Sequence, residues 1–175
     1  MFPSSTNVEG GNMTQHKRIY FTSAIYHICI RGNNRQYVLR TDEDKIIFLK
    51  TLSKFKERFG FKVYSLVLMD THPHLIIEPS CNINISKIMH AIELSYSFKF
   101  REKYGYTGHV WQGRFKSNVI TGYDYILSCI EYIHNNPVRA GIVVSPNDYL
   151  WSSYHFYHSK TNPLEGLICL DKFTE

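Results

Sequence analysis

Residues 61–78 contain two apolar runs joined by a short polar turn. The runs are residues 61–69 and 73–78, and residues 70–72 lie between them, with Asp70 and Thr71 forming the turn. Runs of this length, rich in Val, Ile, Leu and aromatic residues, are typical of β-strands, and so short a connection makes the strands antiparallel neighbours. The sequence therefore predicts a β-hairpin near the middle of the chain.

An amphipathic helix is predicted on each side of this hairpin, at residues 42–59 and 85–102. In both segments apolar residues recur at the three- and four-residue spacing that places them on one helical face. Gly60 follows the first segment directly, as glycine commonly does at a helix C-terminus. The inward-facing residues are Phe48, Leu52, Phe55 and Phe59 in the first helix, and Ile85, Ile88, Met89, Ile92, Tyr96 and Phe100 in the second.

Two further strands and a third helix complete the pattern. Residues 24–31 are rich in Ile and precede a Gly-Asn-Asn turn, which predicts a strand, and residues 116–120 predict another. A third helix is predicted at residues 121–136. It begins with Thr121 and Asp124, spaced as in a capping box, and the proline that follows ends it.

The order of elements is strand, helix, strand, strand, helix, strand and an extra helix. This order predicts an α+β, ferredoxin-like sandwich: an antiparallel β-sheet with helices on one face, plus an extra C-terminal helix that carries Tyr132. A length of 175 residues suits one domain. We expect a flexible N-terminal tail at residues 1–15, a single domain at 16–160 and a C-terminal tail at 161–175.

Composition narrows the class of partner and the compartment. The formal charge of +5 and the pI near 9.0 favour a polyanionic partner. The four cysteines form no CxxC pair, which excludes a zinc ribbon and argues against a disulfide framework. The polar first fifteen residues lack the apolar region of a signal peptide, and no apolar stretch is long enough to span a membrane. We expect a cytoplasmic protein.

His72 and His74 are the first candidate site residues. Residues two apart on a strand point to the same face, so the two imidazoles would converge on one point, as metal binding requires. The alternative is two incidental surface histidines on a strand.

Tyr132 and Asn136 are the second candidate pair. They lie four apart in the predicted third helix and therefore share a face, which Tyr125 and Cys129 extend. One alternative is that this stripe belongs to the core. Another is that Asn136 serves only as a helix C-terminal residue.

A third set of candidates combines aromatic and basic residues in the way that nucleic-acid surfaces do. The run at residues 111–117 (WQGRFKS) alternates aromatic side chains with Arg and Lys, and the turn after the first strand supplies similar donors. A solvated basic loop is the alternative. The predicted DNA-binding residues are Arg31, Asn33, Asn34, Arg35, Trp111, Gln112, Arg114 and Lys116.

Taken together, these segments resemble the single-tyrosine HUH transposases, specifically the REP-associated tyrosine transposases. The similarity extends from about Tyr26 to Tyr154, and five segments in the family's order carry it. They are His27-Ile28 with residues 31–36 (RGNNRQ), residues 69–74 (MDTHPH), residues 111–117 (WQGRFKS), residues 132–141 (YIHNNPVRAG) and residues 151–154 (WSSY).

The resemblance implies a metal-dependent enzyme that cleaves single-stranded DNA and transfers the strand through a 5′-phosphotyrosine. It implies that His72 and His74 are the paired metal ligands, Asn136 the third ligand and Tyr132 the nucleophile. The implied cofactor is Mg²⁺ or Mn²⁺. The implied partner is single-stranded or hairpin DNA. The resemblance also allows a homodimer, because related enzymes include obligate dimers as well as monomers.

The sequence departs from the family pattern around the histidine pair. Asp70 and Thr71 stand where the family usually has Pro-Asn, and Pro73 replaces the usual bulky apolar spacer. Since proline has no backbone N–H, the strand must tolerate one missing ladder bond.

Two other functions are compatible with the same residues. One is a non-catalytic nucleic-acid-binding module on a ferredoxin-like fold. The other is a zinc-dependent hydrolase in which His72 and His74 hold the metal and Tyr132 belongs to the core. A covalent tyrosine–DNA adduct would distinguish the transposase from both.

Overall fold

Four antiparallel strands form one sheet in the computed structural model, which describes residues 24–159 and 161–173. The strands are β1 (Ile25–Cys29), β2 (Lys62–Met69), β3 (His72–Glu78) and β4 (Lys116–Ile120). Their order across the sheet is β2-β3-β1-β4, so the predicted hairpin is confirmed and its second strand is central.

Two long helices and three shorter ones accompany the sheet. They are α1 (Asp42–Phe59), α2 (Ile85–Tyr104), α3 (Tyr123–His134), α4 (Asn136–Arg139) and α5 (Tyr154–His158). Short 3₁₀ turns occur at Asn33–Arg35 and Pro146–Asp148. Within the described ranges, no helix combines the length and the apolar character needed to cross a membrane.

The two faces of the sheet are covered by different helices. One face packs Ile28, Leu66 and Leu75 against the apolar stripes of α1 and α2. The opposite face packs Val67 and Ile76 into a second cluster, to which α3 contributes three isoleucines. The predicted α+β fold is confirmed, and the extra helix lies on the face opposite α1 and α2.

Local signals fix the ends of α1 but not the start of α3. Thr41 and Asp44 form a reciprocal capping box at the start of α1, and Gly60 ends the helix in the left-handed conformation, with φ 66°. The predicted capping box of Thr121 and Asp124 is wrong. Gly122 is the N-cap instead, with no side-chain hydrogen bond, because its φ of 91° interrupts the helical conformation there.

Residues 161–173 are not the tail that the sequence analysis expects. Leu164, Ile168 and Leu170 are buried in the same cluster as the stripes of α1 and α2. Asp171 forms an ion pair with Lys56, with 3.0 Å between the charged atoms, and accepts a hydrogen bond from a backbone N–H of β2. Apolar burial and paired charges therefore attach this segment to the domain. The predicted N-terminal tail at residues 1–15 lies outside the described residues.

This packing predicts a measurable contribution of the C-terminal segment to stability. Leu164 is 1% exposed, so Leu164→Ala should lower the free energy of unfolding by about 2–5 kcal/mol. Leu150 is 55% exposed, and Leu150→Ala should change it by less than about 0.5 kcal/mol. Urea denaturation of both variants checks the difference, and equal small effects would mean that the segment is only loosely attached.

Candidate active site

Three imidazoles meet on the sheet face that α3 covers. His72 and His74 project from the same side of β3, and their ring centroids lie 4.9 Å apart. β1 adds His27, whose ring stacks on His74 with a centroid separation of 5.2 Å. The predicted convergence of His72 and His74 is therefore present, and His27 is a member of the cluster that the sequence analysis did not assign to the site.

Each histidine of β3 has a hydrogen-bonding partner at Nδ1. Nδ1 of His74 lies 3.0 Å from Nε2 of His27, and Nδ1 of His72 lies 2.7 Å from Oγ1 of Thr71. These contacts fix the orientation of both rings. Thr71, one of the departures from the family pattern, thereby orients His72.

Burial makes all three imidazoles resist protonation. It lowers the pKa of His27 and of His72, and for His72 the positive charge of Arg31 adds to the effect. It lowers the pKa of His74 to about 3, with His72, His27 and Arg31 contributing further. At neutral pH the cluster is therefore uncharged, which is the state in which imidazole binds a metal ion.

The turn before the histidines is held from two sides. The backbone carbonyl of Thr71 accepts a hydrogen bond from Gly32 at 2.9 Å, and the Asp70 carboxylate pairs with Lys45 at 2.9 Å. Pro73 lies opposite Leu68 in the ladder, one residue from the end of β3. The sheet thus accommodates Pro73, and the altered turn is anchored to the segment that follows β1 and to α1.

Tyr132 lies beside this cluster and is not a core residue. Its side chain is 44% exposed, and its ring meets the ring of His27 edge-on at a centroid distance of 6.3 Å. The Arg139 guanidinium lies 5.0 Å from the ring centroid. The inward stripe of α3 consists instead of Ile126, Ile130 and Ile133, so the alternative that Tyr132 belongs to the core is wrong.

A buried polar network fixes the end of α3 to the sheet. Nε2 of His134 lies 2.8 Å from Oγ of Ser153 and 3.2 Å from Oγ of Ser65 in β2. Ser153 in turn exchanges hydrogen bonds with the backbone of Leu66. The network joins two of the quoted family segments, and it holds the helix that carries Tyr132 in one position over β2.

Asn136 lies one turn beyond Tyr132, but in a separate short helix. The predicted single helix at 121–136 ends at His134, and Asn135 is its C-cap. Asn135 also donates its side-chain amide to the Glu131 carbonyl. The buried amide nitrogen of Asn136 has no hydrogen-bond partner among the described residues, so the capping role proposed for Asn136 belongs to Asn135.

Four of the predicted DNA-binding residues line one small cavity next to the histidines. The cavity has a volume of about 180 Å³ and is lined by Cys29, Arg31, Gln112, Arg114 and Lys116. Cys29 pairs with His74 on one side and with Lys116 on the other, so the cavity borders the histidine cluster on the same sheet. We call it the basic cavity.

The other predicted DNA-binding residues are placed differently. Trp111 is buried against Phe48 and Tyr96, and its indole N–H donates to the Glu93 carbonyl, so its ring is not an exposed platform for base stacking. Asn33, Asn34 and Arg35 form the 3₁₀ turn after β1 and are not among the residues lining the basic cavity.

Two proteins with similar sequences are named as transposases. A REP-associated tyrosine transposase of Escherichia coli is 23% identical over 144 residues, covering 82% of this chain and 84% of that protein. A Haemophilus influenzae protein named as a REP-associated tyrosine transposase is 25% identical over 159 residues, covering 82% and 86% respectively.

A solved structure of a REP-associated tyrosine transposase bound to a REP hairpin has the same fold. It superposes with a TM-score of 0.71 at 22% identity and covers 93% of each chain. The family model "Transposase IS200 like" matches residues 20–136, a span that includes the histidine pair, Tyr132 and Asn136. The resemblance recognised in the sequence is thereby confirmed: the chain belongs to the IS200-like transposase family.

Proposed function

We propose that this protein cleaves single-stranded DNA in a metal-dependent reaction and rejoins it through a covalent bond to Tyr132. The observation that carries the proposal is the exposed ring of Tyr132 next to three neutral imidazoles. The similar transposase solved with a REP hairpin supports hairpin or repeat DNA as the substrate. The decisive experiment is detection of a protein–DNA adduct.

The histidine pair fits a divalent cation. With Nδ1 of His72 bonded to Thr71 and Nδ1 of His74 bonded to His27, Nε2 of each ring remains for the ion. Histidine ligands typically use the second nitrogen in this way, and the partner fixes the tautomer.

The third proposed metal ligand is an amide and not a His, Cys, Asp or Glu side chain. Within residues 24–159 and 161–173, no three His, Cys, Asp or Glu side chains are arranged to hold a metal ion. The buried side-chain amide of Asn136, one turn from Tyr132, can offer its oxygen. Two imidazoles, an amide oxygen and phosphate oxygens suit Mn²⁺ or Mg²⁺.

The chemistry required of the protein is an in-line displacement at phosphorus. A bound divalent ion supplies Lewis-acid polarisation of the scissile phosphate. The phenolic oxygen of Tyr132 gives its proton to solvent and attacks phosphorus, and the bond from phosphorus to the 3′ oxygen breaks. That oxygen takes up a proton from solvent and leaves as a 3′ hydroxyl. The guanidinium of Arg139 lies 5.0 Å from the centroid of the Tyr132 ring, a cation–π contact that helps to hold the ring in position.

The covalent intermediate explains how strands are rejoined without a nucleotide cofactor. The 5′-phosphotyrosine keeps the energy of the broken phosphodiester bond, so a 3′ hydroxyl can attack it and release Tyr132. The partly exposed position of Tyr132 permits an incoming strand end to reach the phosphorus.

DNA binding should weaken steeply as salt rises. Each phosphate contact adds roughly 0.7 to the log–log slope for a single strand, so Arg114→Ala and Lys116→Ala should each reduce the slope by about that amount. Both residues line the basic cavity. Fluorescence anisotropy over a series of KCl concentrations measures the slope.

The control for this experiment is Lys50→Ala, which removes an exposed charge from α1 on the other side of the sheet. Its slope should equal that of the wild type. A salt-independent wild type, or equal slopes in all variants, would contradict phosphate binding at the basic cavity.

Asn136→Ala tests the third ligand. We expect Mn²⁺ affinity to fall by about tenfold or more, and cleavage to slow, while metal-free DNA binding stays unchanged. Isothermal titration calorimetry measures the affinity. Asn135→Ala is the matched control: it removes the hydrogen bond to Glu131 at a cost of about 1 kcal/mol in stability, without changing metal affinity. Equal Mn²⁺ affinity in both variants would remove Asn136 from the site.

A further inference from the structure

His27 lies between the histidine pair of β3 and the tyrosine of α3. It stands opposite Ile76 in the ladder of β1 and β3, which makes it the diagonal neighbour of His74 on the face that α3 covers. Nε2 of His27 lies 3.0 Å from Nδ1 of His74, and the rings of His27 and Tyr132 meet edge-on with 6.3 Å between their centroids. One side chain therefore contacts both a proposed metal ligand and the proposed nucleophile.

Metal binding at His74 decides the direction of the hydrogen bond between the two imidazoles. A neutral imidazole has one N–H and one acceptor nitrogen. When Nε2 of His74 holds the ion, the ring proton of His74 is on Nδ1 and is donated to Nε2 of His27. His27 then accepts at Nε2 and carries its own proton on Nδ1. The reverse arrangement would put a proton on the His74 nitrogen that faces the ion.

The two histidines of β3 depend on different kinds of partner. His74 is 8% exposed, so water has little access to replace a lost partner of its Nδ1. His72 is only half-buried, and its Nδ1 is bonded to the hydroxyl of the adjacent Thr71. The orientation of His74 therefore relies on a side chain from another strand, whereas the orientation of His72 is set within its own turn.

We propose that His27 is a positioning residue with two separable effects: its Nε2 holds His74 in the tautomer and orientation that bind the ion, and its ring supports the ring of Tyr132 beside that ion. The inference rests on the proposed function, which assigns His74 to the metal and Tyr132 to the phosphorus. Carboxylates, backbone carbonyls and water are the usual acceptors for a metal-bound histidine. Here an imidazole accepts, and the same imidazole reaches the nucleophile.

Two substitutions separate these effects. His27→Phe keeps a ring against Tyr132 but removes the acceptor. It should lower Mn²⁺ affinity by about tenfold or more, yet form the covalent adduct at the wild-type rate once Mn²⁺ is saturating. His27→Gln keeps an amide acceptor near the position of Nε2 but removes the ring. It should bind Mn²⁺ as the wild type does and form the adduct about tenfold more slowly at saturating Mn²⁺.

Isothermal titration calorimetry on the protein without DNA measures the affinity, and denaturing gels measure the adduct rate. His90→Ala, which removes an exposed histidine from α2, is the control and should change neither quantity. Wild-type Mn²⁺ affinity in His27→Phe, or a wild-type adduct rate in His27→Gln, would overturn the proposal. A parallel loss of affinity and rate in both variants would also overturn it, because a merely structural role predicts that result.

The tautomer of His27 provides a readout that needs neither a variant nor DNA. In protein with ¹⁵N-labelled histidine rings, and with Zn²⁺ as a diamagnetic probe, NMR should show the His27 proton on Nδ1. A proton on Nε2 of His27 in the metal-loaded protein would overturn the proposed orientation of His74.

Failure of this inference and failure of the proposed reaction have different signatures. A wild type that binds Mn²⁺ but forms no adduct, with binding still weakened in His27→Phe, would contradict the reaction and support the role of His27 toward His74. A wild type that binds neither Mn²⁺ nor Zn²⁺ would contradict both.

Discussion

His74→Ala is expected to reduce metal-dependent DNA cleavage by about a thousandfold. A Lewis acid on the scissile phosphate contributes several kcal/mol to stabilising the transition state, and loss of one of two imidazole ligands removes most of that contribution. The same loss should appear as abolished Mn²⁺ binding in calorimetry. His72→Ala should behave alike, since both rings lie on the same face of β3.

A histidine outside the cluster supplies the control for this prediction. His158→Ala removes an exposed histidine on α5 and should leave cleavage and Mn²⁺ affinity unchanged. The account would be contradicted if His74→Ala kept the wild-type cleavage rate with Mn²⁺ present. It would also be contradicted if His158→Ala lost cleavage and Mn²⁺ affinity to the same extent as His74→Ala.

Tyr132→Phe is expected to fold and to bind DNA and Mn²⁺ as the wild type does, yet to form no covalent adduct. The variant keeps the ring that contacts His27 and Arg139 and removes only the nucleophilic oxygen. Its cleavage should fall below detection, because the variant lacks the oxygen that forms the phosphoester bond. Denaturing gel electrophoresis with labelled hairpin DNA detects the adduct.

Tyr125→Phe is the matched variant on the same helix. Tyr125 is also exposed, so its loss should leave both the fold and adduct formation intact. An adduct that persists in Tyr132→Phe and disappears in Tyr125→Phe would reassign the nucleophile.

Local sequence signals predicted the ends of a helix correctly where a capping residue or a glycine determines those ends. The bounds of α1 match because a capping box and a glycine in the left-handed conformation fix its two ends. The start of α3 was misplaced because Gly122 overrides the capping spacing of Thr121 and Asp124. Periodicity also shows which face of α1 is buried, but not that α3 packs on the opposite side of the sheet.

Long-range packing accounts for the other differences. The spacing of Leu164, Ile168 and Leu170 combines one step of four residues with one of two, which predicts neither a helix nor a strand. Their burial against α1 and α2 depends on tertiary contacts that sequence spacing does not reveal. The sequence places Trp111 in a basic aromatic loop. In the structure its ring packs in the core against Phe48 and Tyr96, and its indole N–H donates to the backbone carbonyl of Glu93.

In the candidate site, too, the sequence predicted what depends on local spacing and missed what depends on long-range contacts. His72 and His74 were found because the two-residue period of a strand puts them on one face. His27 was missed because its contact with His74 requires the register between β1 and β3, which joins residues 47 positions apart. The sequence contained one signal for His27: alternation along the predicted strand at residues 24–31 places His27 and Cys29 on the same face.

Mapping the adduct by mass spectrometry tests the central claim most directly. Wild-type protein is incubated with hairpin DNA and Mn²⁺, then digested with nuclease and trypsin. The tryptic peptide 117–139 contains three tyrosines, at positions 123, 125 and 132. The account predicts a nucleotide mass on fragment ions that include Tyr132 and exclude Tyr125. The same mass on Tyr123 or Tyr125, or DNA cut without any modified tyrosine, would contradict it.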